Sequence, residues 1–331
     1  MTLTGDVLRA GGPLARIGEL YPAPKGRVTP CPGKSLQRGP ASWDHSGMEG
    51  MRTPEQYRAR RRPMVELDEG RVVAAAEDQA ELVELGLDTV RGAMDFSGGQ
   101  LIREAGTRTT HRIEGPRSVF FLKRHRGLSI TERYFPFRLR ATSPARIEFD
   151  NHVMMRRSGF DVPDPVAVGE SGATFAVPAE SYLVTREVPG PNLHDMLRDR
   201  LPGEPGRREA SLAQAVIRDL AGLVRRLHSG GFIHRDLYCA HLIVADDPRW
   251  GRPYIVDLQR VEQRFPPRQR WLVKDLAALL HSLPPNVSRT DQLRFLMVYL
   301  GKLRVDPLVR RWAGEIAAKQ QRMARHTPKY P

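Results

Sequence analysis

One stretch, Gly230 to Arg260, constrains this chain more than any other: GGFIHRDLYCAHLIVADDPRWGRPYIVDLQR. Two short apolar runs, Leu242 to Ala245 and Tyr254 to Val256, flank a turn rich in Asp, Pro and Gly, and this pattern predicts a β-hairpin. His234-Arg235-Asp236 precedes the first run and Asp257 closes the second. A hairpin brings its outer ends together, so Asp236, His241 and Asp257 are expected around one small volume. One carboxylate there can take a proton from a hydroxyl. A second can hold a divalent metal through hard oxygen ligands. Singly, each residue has an ordinary explanation: Asp236 caps a turn, Asp257 ends a strand, His241 is a satisfied core histidine. Together, alternating with apolar strands, they form a constellation.

That layout is what phosphoryl transfer needs. His234-Arg235-Asp236-Leu237, a polar residue five positions after the aspartate, and Asp257 after an apolar strand resemble the catalytic core of protein-kinase-like enzymes. Protein kinases carry Lys two residues after the catalytic Asp and Asn five after it; here those places hold Tyr238 and His241. Their Asp-Phe-Gly is Asp257-Leu258-Gln259, followed by Arg260. The run HRDLYCAH, the later IVDLQR, an upstream strand lysine and a downstream KDLAALL resemble the lipopolysaccharide inner-core kinases, the Kdo/heptose kinase (WaaP/InaA-like) family. The resemblance extends from about Leu85 to Leu300.

It implies an α+β, bilobal, protein-kinase-like fold, with a small β-rich N-lobe and a helical C-lobe, and the use of ATP and Mg²⁺. Asp236 would orient the acceptor hydroxyl and accept its proton. Asp257 would bind the metal. His241 stands where the second metal-binding Asn would be, and either touches a phosphate oxygen or supports the metal less directly, because imidazole is a poorer Mg²⁺ ligand than oxygen. His234 and Arg235 would brace the loop. Asp275, in KDLAALL, would hydrogen-bond the catalytic-loop backbone. Tyr238 replaces a lysine that meets the γ-phosphate, so another cation is needed; an arginine fits, and the sequence does not say which.

The charge is consistent with an anionic acceptor. The 331-residue chain has a formal net charge of +14, and arginine supplies most of it because lysine is scarce. Guanidinium groups bind phosphate and carboxylate bidentately. Phosphorylated sugars and anionic headgroups both suit such a surface; an arginine-rich codon usage gives the same composition. No motif for specific nucleic-acid binding accompanies the charge. Cys31 and Cys239 are the only cysteines, too few for a disulfide framework or a zinc site. No apolar run reaches the ~20 residues of a membrane span, and no secretory core is visible at the N-terminus. A cytoplasmic monomer is expected, touching at most the cytoplasmic face of the inner membrane.

Residues 1 to 60 are rich in Gly, Pro and Arg without apolar periodicity, and read as a disordered basic tail. Cys31-Pro32-Gly33-Lys34-Ser35 imitates the end of a phosphate-binding loop, but Val28 stands where its first glycine belongs. The N-lobe is expected over 61–188 and the C-lobe over 189–331. A short helix is predicted from Ala74 to Leu85, ended by Gly86. Strand-like runs follow at Gly99 to Arg103, Thr109 to Ile113 and Val119 to Lys123. The kinase resemblance puts Gly106 over the ATP phosphates with Arg108 beside it; a plain hairpin turn explains the same residues. Lys123 ends an apolar strand. It is either a snorkelling strand-end lysine or the ammonium that holds the α- and β-phosphates and pairs with a glutamate. Glu148, one turn into a helix capped by Ser143 and Pro144, is the preferred partner; Glu132, in the basic aromatic run Arg126 to Arg140, is the rival. Glu187 and Val188, in the link between lobes, would offer backbone groups to adenine.

Ser211 to Ser229 shows an apolar stripe at helical spacing, and further helices are expected at Trp271 to Ser282, Thr290 to Leu303 and Pro307 to Met323. Asp275 lies only 18 positions after Asp257, short for a phosphorylation-switched activation segment, so a constitutively formed site is expected. The function read from the whole is ATP-dependent phosphorylation of a sugar hydroxyl on the lipopolysaccharide inner core (Kdo or heptose) or a related glycolipid. The alternatives are a kinase for another small molecule or a protein, and a catalytically silent binding module.

Overall fold

Alternation of apolar and polar residues decides which side of the N-terminal sheet each side chain reaches. In the computed structural model, residues 62–127, 142–171, 180–200, 207–245 and 252–325 are described. The tail 1–60, Glu132 and most of the basic aromatic run lie outside them. The sheet contains β1 (Met64–Leu67), β2 (Val72–Ala75), β3 (Gln100–Ala105), β4 (Arg108–Glu114), β5 (Val119–Arg126), β6 (Pro165–Glu170) and β7 (Glu180–Arg186). Every pairing is antiparallel, in the order β1-β2-β6-β7-β5-β4-β3.

Phe120 and Leu122 of β5 point to one face, where they join Val72, Ala74, Val166, Tyr182 and Val184 in an apolar core. Helices α1 (Gln79–Glu84) and α2 (Val90–Asp95) cover that face, through Leu82, Val90, Ala93 and Met94. The opposite face carries Val73, Val168 and Leu183, packed against Ala145 and Phe149 of α3 (Pro144–Arg157). Lys123 follows Leu122, so it lies on the α3 face, opposite Leu183 in the register.

The predicted helix from Ala74 to Leu85 is corrected in its first turn. Val72–Ala75 is a strand buried on both faces and paired to β6; the α-helix begins only at Gln79, and Gly86 leaves it at φ +69°. The β-branched pair Val72-Val73 suits a strand covered on both sides, and cross-strand partners 90 or more residues away outweighed the local helical pattern. The β1–β2 hairpin and α2 were not expected from sequence. Lys123 is likewise not at the end of its strand: β5 runs on to Arg126.

The second lobe is helical. It comprises α4 (Leu193–Arg200), α5 (Arg207–Ser229), α6 (Gln269–His281), α7 (Arg289–Leu300) and α8 (Pro307–Ala324). Val216, Leu220, Leu223, Val224 and Leu227 form the buried stripe of α5. Short strands close its upper edge. β9 (Leu242–Val244) pairs with β10 (Pro253–Ile255) as the hairpin predicted, while β8 (Phe232–Ile233) pairs with β11 (Glu262–Gln263). Gly190 joins the lobes at φ +137°, and a Cβ there would strike the Val244 carbonyl. Only glycine lets the connecting backbone pass so close to β9.

Candidate active site

A buried charge survives only where a partner of opposite charge is fixed beside it. Lys123 Nζ lies 2.5 Å from Glu148 Oε1, whose side chain is 2% exposed. Ser143 caps α3 by accepting from the Arg146 amide at 3.1 Å, and Pro144 occupies its first turn. That start sets the helix phase that points Glu148 at the sheet. His152, one turn later, places Nε2 3.9 Å from the same Glu148 oxygen. Burial works against the Glu148 carboxylate, but Lys123 and His152 outweigh it and hold the pKa well below the ordinary range. Burial likewise works against the Lys123 ammonium, yet Glu148 and then Asp257 keep it charged, with its pKa raised.

The catalytic loop hangs from α6. Both carboxylate oxygens of fully buried Asp275 accept backbone N–H groups, from His234 and Arg235, each at 2.7 Å. They fix Arg235 at φ +71°, a left-handed conformation costly for an arginine. The Arg235 guanidinium donates to Glu262 Oε1 at 2.6 Å and stacks 4.8 Å from the Trp271 ring centroid. His234 is completely buried and donates from Nε2 to the Val256 carbonyl at 3.1 Å; burial lowers its pKa, so the ring stays neutral. Both residues brace the loop and neither lines the cleft.

The reversal at Arg235 presents Asp236 to the cleft. His241 Nδ1 lies 2.7 Å from the Asp236 backbone carbonyl. A carbonyl only accepts, so Nδ1 carries a proton, and Nε2 is the ring nitrogen that can offer a lone pair. Nε2 is 3.5 Å from Asp257 Oδ2. Asp257 itself sits at φ +58°, turning its carboxylate away from the strand and into the cleft. Two donor atoms at this separation can share one cation. Among the described residues no group of three or more His, Cys, Asp or Glu side chains forms a metal cage. Mg²⁺ is commonly held by one or two carboxylates plus substrate phosphates and water, and Asp257 would be the carboxylate here.

These groups face a cavity of about 550 Å³ that Lys123, Glu148, Glu187, Val188, Asp236 and Asp257 help to line, a volume in the range of small-ligand sites. The Glu187 amide donates to the Val119 carbonyl at 2.8 Å, and its side chain binds Arg112 through both oxygens. Its amide and its carboxylate are thus both engaged within the protein. Gly106, at φ +60°, is one of two turn residues between β3 and β4 and is not among the lining residues. Arg108 does line the cleft, and Nη1 donates to Gln259 Oε1 at 2.9 Å, linking the β3–β4 hairpin to the segment after Asp257.

Four residues with no role assigned from sequence stand in this arrangement. Arg260 places Nη1 2.8 Å from Asp236 Oδ2. Lys274 donates to the Arg235 carbonyl and lies 3.4 Å from Asp236 Oδ1. Asn151, on α3, donates to the carbonyls of Leu258 and Val261 at 2.7 and 3.2 Å. His152 supports Glu148 as described. The one signal available in the sequence was indirect: the missing lysine at Tyr238 demanded a cation, and Arg260 follows the Asp257-Leu258-Gln259 triplet.

A model of the lipopolysaccharide kinase (Kdo/WaaP) family matches residues 97–299. The chain belongs to this family. It is therefore a kinase, a phosphotransferase with an alcohol acceptor that uses ATP. The matched span contains the Lys123–Glu148 pair, the catalytic loop, Asp257 and α6. Among curated relatives, the lipopolysaccharide core heptose(I) kinase WaaP of Pseudomonas aeruginosa is 32% identical over 219 residues, which cover 62% of this chain and 79% of that protein. The heptose(I) kinase WaaP of Escherichia coli K12 is 30% identical over 215 residues, covering 61% and 78%. A solved structure of WaaP in complex with acyl carrier protein aligns with a TM-score of 0.57 at 28% identity, over 80% of this chain and 98% of that one. The fold is the family's bilobal, protein-kinase-like architecture. No helix among the described residues is long and apolar enough to cross a membrane.

Proposed function

We propose that the chain phosphorylates a hydroxyl of an inner-core sugar of lipopolysaccharide, with heptose favoured over Kdo by the heptose(I) kinases among its relatives. The observation that carries this reading is the meeting of Asp236 and Asp257 at one cleft with the Lys123–Glu148 pair, in a chain of this family. ATP lies with its adenine edge on the Glu187–Val188 backbone. Lys123, held by Glu148, binds the α- and β-phosphates. Asp257, with His241 Nε2 beside it, would hold Mg²⁺, and the ion would supply charge neutralisation to the phosphates. Asp236 orients the acceptor hydroxyl and takes its proton as the acceptor oxygen bonds to Pγ. Positioning and charge neutralisation supply most of the acceleration in such a reaction.

The glycolipid acceptor places the enzyme at the cytoplasmic membrane face, and the net charge of +14 suits an anionic lipid surface there. An acyl carrier protein, the partner of the solved relative, is proposed as a partner of this chain too. The test is transfer of labelled γ-phosphate from ATP to heptose-bearing and Kdo-only core lipids, by wild type, Asp236→Asn and Asp257→Asn. Labelling of the heptose-bearing lipid by the wild type alone is expected. Labelling of protein but not lipid would overturn the acceptor assignment, and nucleotide binding without any transfer would favour a silent binding module.

A further inference from the structure

Tyr238 occupies the position from which a kinase lysine reaches the transferring phosphate, and its phenol cannot supply a positive charge. We infer that Arg260 is the missing cation: its guanidinium binds the γ-phosphoryl group in the transition state, while Lys274 stays on Asp236 as a positioning residue. This rests on the kinase reading above.

Three observations place Arg260 in that role. First, its backbone is held from two sides. Asn151 binds the carbonyls of Leu258 and Val261, which bracket Arg260, and Arg108 binds the side chain of neighbouring Gln259. Buried Leu258 anchors the same 3₁₀ turn. The side chain therefore starts from a fixed point three residues beyond Asp257. Second, the guanidinium already lies at the reaction centre. Nη1 is 2.8 Å from Oδ2 and 3.1 Å from Oδ1 of Asp236, and Arg260 lines the same cavity as Lys123 and Asp257. Third, it is free to exchange partners. Its side chain is 51% exposed, so the ion pair with Asp236 is solvent-screened and readily traded for a phosphate dianion. The planar fork suits phosphate oxygens better than an ammonium does.

Lys274 explains why Asp236 can release Arg260. Its Nζ is tied to the Arg235 carbonyl, lies 3.4 Å from Asp236 Oδ1 and is 19% exposed, so it stays when the arginine turns away. The sequence of events balances. The acceptor oxygen bonds to Pγ as the bond from Pγ to the bridging oxygen breaks; the electron pair leaves with ADP, and the hydroxyl proton goes to Asp236. Arg260 meets the charge on the equatorial oxygens, a role for which fixed cations matter greatly.

The experiment measures binding of Mg·ADP and of Mg·ADP with aluminium fluoride, a mimic of the transferring phosphoryl group, alongside kcat and KM for ATP. Wild type, Arg260→Ala, Arg260→Lys and Arg108→Ala are compared, with melting curves to show that each is folded. Arg260→Ala should keep its ADP affinity within about threefold while losing kcat and the extra affinity for the mimic by about 10²–10³-fold. Arg260→Lys should recover part of both, since it restores charge without the fork. Arg108→Ala should act mainly on nucleotide affinity and KM. Unchanged kcat and mimic affinity in Arg260→Ala would overturn the inference, as would an equal loss of ADP and mimic binding or the transfer of the effect to Arg108→Ala. A wild type that binds the mimic no better than ADP would instead sink the phosphoryl-transfer reading itself, and this inference with it. The mimic needs no acceptor, so neither result depends on which sugar is phosphorylated.

Discussion

Replacement of Asp275 should unfasten the catalytic loop. The carboxylate is 0% exposed and accepts two short backbone N–H bonds, from His234 and Arg235, with His228 Nε2 a further 3.4 Å away. A hydrogen bond to a charged group contributes about 1.5–3 kcal/mol, and a buried donor left without a partner costs its desolvation as well. Asp275→Ala removes both acceptors at once, so a loss of about 3–5 kcal/mol is expected. For a domain of this size that corresponds to a fall in melting temperature of roughly 10 °C. Relief of the left-handed strain at Arg235 offsets a part of the loss, about 1 kcal/mol, and that same relaxation is what should abolish activity, because Asp236 is aimed by the reversal. Asp275→Asn keeps one oxygen and should lose about half as much stability. Urea denaturation followed by tryptophan fluorescence measures the first effect, and phosphoryl transfer at a temperature where every variant remains folded measures the second. An Asp275→Ala protein within about 1 kcal/mol of wild type, or one that is destabilised but fully active, would refute the idea that this side chain builds the loop.

Two further outcomes follow from the same geometry. Stability should fall as the pH drops below about 6.5: an unfolded His234 then takes a proton that the buried ring, with its lowered pKa, refuses, so the unfolded state binds more protons. A second loss is expected below about 4.5 from Glu148, whose folded pKa is depressed, and a flat melting temperature between about pH 7 and 5 would contradict the histidine contribution. Asn151→Ala should cost about 2 kcal/mol and speed hydrogen exchange in residues 258–263, because it frees the two carbonyls that tie α3 to the turn after Asp257; unchanged exchange there would show that the turn holds itself.

That tie also explains why a short segment can suffice. In this structure the helix bearing Glu148 and the turn following Asp257 are joined by one buried amide. The Lys123–Glu148 ion pair and the turn after Asp257 are consequently tied to one another through α3.

Local signals were enough for the parts whose partners are near in sequence. The β9–β10 hairpin, the Ser143 cap, the stripe on α5 and the clustering of Asp236, His241 and Asp257 all rest on contacts within a few turns of chain or across one tight connection. Asp275 is different: its partners His234 and Arg235 lie about 40 residues earlier, and its role was legible only through the resemblance of KDLAALL after IVDLQR to the family pattern. The β1–β2 hairpin was harder to see although its two strands are neighbours in the chain. Val72–Ala75 is a strand covered on both sides because β6, more than 90 residues on, completes the sheet beside it, and nothing in its own window states that second partner.

The sequence by itself determined that Lys123, Asp236, His241 and Asp257 would serve one site and in what order along the chain they would arrive, because ionisable residues beside buried strands must be paired or used. Only the tertiary structure decided between Glu148 and ordinary surface glutamates as the partner of Lys123: the choice depends on the phase of α3 against the far face of the sheet, set by its capped start. It alone singled out Arg260 and Lys274 among the many basic residues. Charge is visible in a sequence, but the few ångströms that separate a cation at Asp236 from one on the surface are fixed by packing between elements far apart in the chain.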